Sequence, residues 1–414
     1  MAYYIQQLSD DKYKNIANGF IDKLEFFLNN NNQQEVDFEK LVNRIILLND
    51  SLIGKVSRKL QEFNNKSREL VLELKKTLLN LAKNDKFEIN LKLINHDVKQ
   101  SENCWAMAFN HSGQILASGF GKFIKIWNFE SGRITEQIKL SGHTNVISCL
   151  LFSKYQDSFI SGSYDNSIRC WKLLEEQKWL QSQQYQNHTG RILCFILSND
   201  ENTLFSGSND STIKVWSVDF TNNGIQYCYS LLKHTNTVYA LSLNTSETFL
   251  VSCGQDNQII IWMKTQNEKW VFKQIVNQSI TGWGAKVDFI QDNQFIWVTG
   301  EQNGGDFICF FILINGLFEE QKNKELKLQQ NNKVLDYSLF QTMSFKEKQV
   351  ILFRHKFHIY FLQKRLNGQY NLTTKLQFND NSIFGAATND LKFLVLWKES
   401  EQKYLIYEVE HITS

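Results

Sequence analysis

The chain has 414 residues, 42% apolar and 13% aromatic, which is globular; at about 150 residues per domain it makes two or three units, or one large repetitive one. It has no proline, where average usage would give roughly 20, so PxxP ligands, polyproline linkers, collagen-like segments and native cis-prolines are excluded and turns fall to Gly, Asn, Asp and Ser. With 45 basic and 43 acidic residues the net charge is +2, too small to steer nucleic acid or an anionic membrane, so neither is an expected partner.

The start, Met1 to Gln7, lacks a basic flank followed by an apolar stretch, so no signal peptide is expected. Residues 1–86 read as a helical, coiled-coil-like region. Apolar residues follow three- and four-residue steps through Ile16, Phe20, Leu24 and Phe27, then Phe38, Leu41, Ile45, Leu48, Leu52, Val56, Leu60, Phe63, Leu70, Leu74, Leu78 and Leu81. The consecutive four-residue steps from Leu48 to Leu60 form a stutter that unwinds a left-handed supercoil locally. Asn64-Asn65 is an expected break and Asn29 to Gln34 an expected loop. Such helices suit homo-oligomerisation or a partner helix; the alternative is a hairpin packed on the chain's own core.

From about residue 95 the pattern changes to short strands rich in Ile, Val, Phe and Trp between Gly/Asn/Asp/Ser turns. Three blocks align without a gap at a period of about 45 residues: His143 to Trp171, His188 to Trp216 and His234 to Trp262. An earlier copy ends at Trp127 with one residue deleted before its last strand. Beyond Trp262 three weaker copies follow, at Ile280 to Glu320, Val334 to Tyr370 and Phe378 to Glu410. The longest apolar run, Phe307 to Ile314, is far short of the ~20 residues that span a bilayer and reads as a buried strand.

These blocks resemble the WD40 repeat family. Gly142-His143 matches its GH pair, SGSYD and SGSND match the turn between the second and third strands, and IW, CW or VW closes the third. The style also resembles ciliate-type WD40 proteins that couple a helical segment to the repeats. The resemblance implies a mainly β, seven-bladed propeller following the helical region. Its blades would lie at about 101–140, 143–185, 188–232, 234–276, 280–321, 333–371 and 378–411. A blade cannot bury its faces alone, so the ring must close. FEINLKLINH, Phe87 to His96, resembles the segments that lead into His143 and His234; residues 87–95 are therefore the expected closing strand.

Each regular block holds His, Ser, Asp and Trp. They are His143, Ser161, Asp165 and Trp171; His188, Ser206, Asp210 and Trp216; and His234, Ser252, Asp256 and Trp262. A hydrolase needs one nucleophile, not three copies, and in the family these side chains form a structural hydrogen-bond chain. No catalytic residue is expected. Family geometry implies that the positions three and five after the His, and the one before the Asp, reach the top face: Val146, Ser148 and Tyr164; Arg191, Leu193 and Asn209; Thr237, Tyr239 and Gln255. The first blade adds Asn103, Trp105 and Phe120 by analogy. Interface hot spots favour Tyr, Trp and Arg, which singles out Trp105, Tyr164, Arg191 and Tyr239.

No phosphate loop, HExxH or EF-hand loop occurs, and Gly119, Gly121 and Gly132 do not make a dinucleotide fingerprint. His355 and His358 have no carboxylate or cysteine cluster around them in sequence, so neither a metal nor a cofactor is expected. Seven cysteines without a CxxC pair suit reduced thiols in a cytoplasmic setting. A cysteine-free N-terminus excludes RING and B-box modules, and the Trp residues lack the Asp-x-Arg tail of cullin-ligase receptors. The reading is a non-catalytic scaffold that binds proteins or peptide segments. The alternative, by resemblance of the fourth blade, is the WD40 subunit that targets cytosolic iron-sulfur cluster assembly to client proteins.

Overall fold

The computed structural model describes residues 87–414 except 281, 301–304, 332, 333, 335, 337, 338, 366, 367 and 414, and of the N-terminal part residues 47, 54, 55, 58, 59, 61, 62, 64–73, 75 and 76. The chain divides into two compact units, Met1–Leu79 and Asn80–Ser414. Apart from Leu70, every residue of the expected helical seam, and the Asn29 to Gln34 loop, lies outside the described residues. Residues 64–73 are helical, so Asn64-Asn65 does not break the helix there. Both are tolerated because asparagine costs a helix interior well under 1 kcal/mol, far less than proline.

The second unit is a seven-bladed propeller. Each blade is an antiparallel sheet whose strands follow one another from the inner strand a to the outer strand d. In the second blade these are Ile147–Phe152, Ser158–Ser163, Ile168–Leu173 and Trp179–Gln181. Strand b there is buried along its whole length, because both its faces pack against neighbouring blades. The seventh blade takes its first three strands, Ile383–Ala387, Phe393–Lys398 and Lys403–Thr413, from the C-terminus and its outer strand, Phe87–Asn95, from the start of the unit. Phe87 pairs with Thr413 and the antiparallel ladder continues to Asn95 and Ile406.

Among the described residues seven apolar clusters sit between blades, and one of them joins the seventh blade to the first through Trp127, Phe129, Val395 and Trp397. Without proline, the tight turns use left-handed backbone at Asn166, Ser211 and Asn257, each directly after a repeat aspartate. Asn315-Gly316 takes positive φ at both residues, the combination that a two-residue hairpin needs. All seven cysteines are free thiols; six are buried and Cys228 is exposed. Burial pushes Cys104, Cys170, Cys194 and Cys309 up to about 12.

Candidate functional site

The repeated polar residues meet inside their blades. His143 Nδ1 donates to Asp165 at 2.9 Å, which leaves Nε2 to accept from the Ser161 hydroxyl at 2.8 Å; Trp171 Nε1 donates to that same oxygen at 2.8 Å. His188, Ser206, Asp210 and Trp216 repeat the chain, as do His234, Ser252, Asp256 and Trp262. Every serine of the set is fully buried and already bonded on both sides, so none offers a nucleophile to solvent. Burial acts to raise the Asp165 carboxyl, but the hydrogen bond and charge of His143, helped by Ser167 and the Thr144 N–H, outweigh it and hold the group well below its ordinary 3.8. Asp210 is held down in the same way. Burial lowers His188 below 6.5 against the opposing pull of Asp210.

These shifts fix the sign of the acid response. A depressed carboxylate contributes stability above its ordinary value and loses it as pH falls through the folded value. A depressed histidine works in the same direction, because the unfolded chain takes up its proton first below 6.5. Burial raises Asp288, held between the Ser242 and Ser344 hydroxyls, and among the described residues this carboxyl opposes the trend. We expect the urea midpoint to fall as pH is lowered from 7 past 6.5 and again below about 4. Asp165→Ala should cost a few kcal/mol, since it strips the partner from a buried histidine and from the Thr144 N–H. An unchanged midpoint at pH 7 would refute that assignment.

The first blade has no such histidine and solves the problem across the seam. Gln100 stands as far ahead of Ser118 as His143 stands ahead of Ser161. Trp127 Nε1 donates to Ser118 Oγ at 2.8 Å, Ser118 Oγ lies 3.0 Å from Tyr404 Oη, and Tyr404 donates to Gln100 Oε1 at 2.7 Å. Tyr404 belongs to the seventh blade. In the last three blades the fourth residue of strand b, a serine in the first four, is Trp297, Phe353 or Leu396. All three are buried, so apolar bulk replaces the hydroxyl, and this is why the sequence signature fades there.

The top-face candidates converge differently. Tyr164, Arg191, Leu193, Asn209, Thr237, Tyr239 and Gln255, with Trp283, Asp336 and Leu339, line one cavity of about 330 Å³. Contacts pass from blade to blade around it. The Trp105 and Tyr164 rings are 5.4 Å apart, the Arg191 guanidinium lies 4.5 Å over the Tyr164 ring, Asn209 donates to Thr237 Oγ1 at 2.6 Å, and the Tyr239 and Trp283 rings are 5.1 Å apart. The positions five after the histidine owe their direction to a bulge. Between Ile147 and Cys149, Ile192 and Cys194, and Val238 and Ala240 the register shifts, leaving Ser148, Leu193 and Tyr239 as extra residues turned off the ladder. Burial raises the Tyr239 phenol to about 12.

Five of the twelve candidates fall outside this lining: Asn103, Val146, Trp105, which packs on Tyr164, and Ser148 and Phe120. Ser148 is 1% exposed and its hydroxyl donates to the Gly162 and Ile192 carbonyls, so it ties two blades together beneath the surface. Phe120 ends the second strand of the first blade, with Lys125 Nζ of the third strand 4.4 Å over its ring. Its analogy fails because the counterpart of Tyr164 is Gly121, which stands three after Ser118 and whose N–H donates to the Asn103 carbonyl as that of Tyr164 does to Val146. Trp283 was not among the candidates, although it falls three residues after Ile280 just as Arg191 falls three after His188; only the loss of the histidine hid it.

Beneath the cavity lies a buried ion network. Asp336 pairs with Lys286 and, at 3.1 Å, with Arg354; Asp306 pairs with His355 and Lys356, each at 2.6 Å. His355 therefore has carboxylate neighbours that its sequence surroundings do not show, because Asp306 and Asp336 arrive from other strands and loops. Burial acts to raise Asp336, but Lys286, Arg354 and His355 hold it far below the usual carboxylate range. Burial lowers Lys286 to about 8 despite Asp336. Among the described residues no three His, Cys, Asp or Glu side chains form a group that could hold a metal, and no helix is long and apolar enough to cross a membrane.

Residues 90–128, 134–172, 179–217 and 226–263 match the family description "WD domain, G-beta repeat". A 70-residue stretch is 36% identical to Protein ROOT INITIATION DEFECTIVE 3 of Arabidopsis thaliana, covering 17% of this chain and 16% of that protein. A 73-residue stretch is 34% identical to Periodic tryptophan protein 2 of Saccharomyces cerevisiae, covering 17% of this chain and 8% of the relative. The aligned stretches thus span under a fifth of the curated relatives. A chain in "Crystal Structure of Mitotic Checkpoint Complex" superposes with a TM-score of 0.60 at 15% identity, over 77% of this chain and 92% of that one.

Proposed function

We propose, from the premise that this chain carries WD40 repeats in a WD40 propeller fold, that it is a non-catalytic scaffold binding other proteins or peptide segments over the cavity on its top face. The observation that carries this is the convergence of seven residues, chosen from equivalent repeat positions, on one cavity walled by Tyr164, Tyr239 and Trp283. Rigid aromatic groups held in a ring of strands give contact area at little entropic cost. The helical N-terminal segment serves self-association or partner docking, in keeping with the exposure of Leu70, Val71 and Leu72 on helix 64–73. The free thiols suit a reducing, cytoplasmic setting.

Quantitative mass spectrometry of proteins captured by the wild type and by Tyr239→Ala/Trp283→Ala tests the reading. Loss of a defined set of partners from the double variant, with melting temperature retained, supports it; identical capture refutes it. Iron-sulfur assembly factors in the lost set would favour the targeting role instead.

A further inference from the structure

The cavity carries its own indication of partner charge. Arg191 is exposed at its mouth, and its guanidinium Cζ lies 4.5 Å from the centroid of the Tyr164 ring. Among the described residues no carboxylate lies within ion-pair distance of it. Contact with the ring holds the guanidinium at the mouth while its exposed N–H groups remain to donate, as bidentate capture of a carboxylate requires. Among the described residues the one acidic group in the lining, Asp336, is fully buried and already paired with Lys286 and Arg354, so it cannot serve as counter-ion for a cationic ligand. The remaining wall is aromatic and aliphatic, from Tyr239, Trp283, Leu193 and Leu339, with the exposed amides of Asn209 and Gln255 at the rim.

We infer that the cavity takes an acidic peptide segment, with an Asp or Glu carboxylate on Arg191 and an adjacent apolar side chain against Tyr239 and Trp283. This rests on the scaffold reading and adds to it the chemical class of the partner. A cationic segment is opposed twice, by repulsion from Arg191 and by the lack of an available counter-ion.

The test is fluorescence anisotropy on the full chain with three labelled peptides of one design: Asp alternating with Phe and Gly, a twin with Asn for every Asp, and a twin with Lys. The acidic peptide should bind, roughly tenfold more tightly than the Asn twin, and should weaken as salt rises. Arg191→Gln, an exposed substitution, should erase that preference. Equal or tighter binding of the Lys twin, an unchanged preference in Arg191→Gln, or no binding of the acidic peptide would each overturn the inference. If acidic and Asn peptides bind equally and both are lost in Trp283→Ala, the cavity still binds peptide and only the charge assignment fails. If Trp283→Ala alters neither peptide binding nor cellular capture, the scaffold reading fails with it.

Discussion

A chain lacking residues 87–95 should fail to accumulate as soluble folded protein. The segment supplies the outer strand of the seventh blade, paired from Phe87 to Asn95 with Lys403–Thr413. Ile89 is buried in the core between the sixth and seventh blades, its carbonyl accepts from Thr374 at 2.6 Å, and Ile94 packs in the core between the seventh and the first. Removing the strand therefore weakens two of the seven interblade contacts and bares a long edge strand, a template for pairing with other chains. A milder lesion isolates the polar part of the same seam. Tyr404→Phe keeps the ring but removes the hydroxyl between Ser118 and Gln100, and should cost about 1–3 kcal/mol. Sedimentation of expressed protein and thermal melting check both; a soluble deletion variant with the wild-type melting temperature would refute ring closure by this strand.

Asp336→Ala should be the most destabilising single substitution in the weaker half of the ring, at about 3–5 kcal/mol. The carboxylate accepts from Lys286, from Arg354 and from the Lys356 backbone N–H, and neither its side chain nor those of the two cations is exposed by more than 1%. Without it Lys286 and Arg354 lose their shared carboxylate, and Lys286, already lowered by burial to about 8 beside Asp336, is driven to give up its proton. The cost is mainly that of burying these basic groups without the carboxylate, so Lys286→Met added to Asp336→Ala should restore part of it. Urea denaturation measures both. A double variant less stable than the single one would mean that Lys286 is held chiefly by other partners.

Much of the ring was legible because each blade is built from local relations. A serine eighteen positions after a histidine, an aspartate four after that serine and a tryptophan closing the next strand meet wherever four strands fold back on one another. The same locality placed Tyr164, Arg191, Asn209, Tyr239 and Gln255 around one cavity. Ser148 shows its limit. Its position follows the rule, but a small side chain on the bulge reaches the next blade's carbonyl instead of the surface. A large one in the same place, Tyr239, reaches the cavity.

By itself the sequence determined the period and the repeated polar positions, since both depend on residues close along the chain; the strand order within a blade and the positions that turn toward the centre were what the family resemblance implied. Only the tertiary structure decided what the weaker blades use in place of the polar chain, and which side chains meet across the seam where the ring closes. Gln100 and Tyr404 are 304 residues apart, and Asp306 meets His355 across 49. Contacts of that kind depend on blades being brought side by side, and no spacing within one repeat records them.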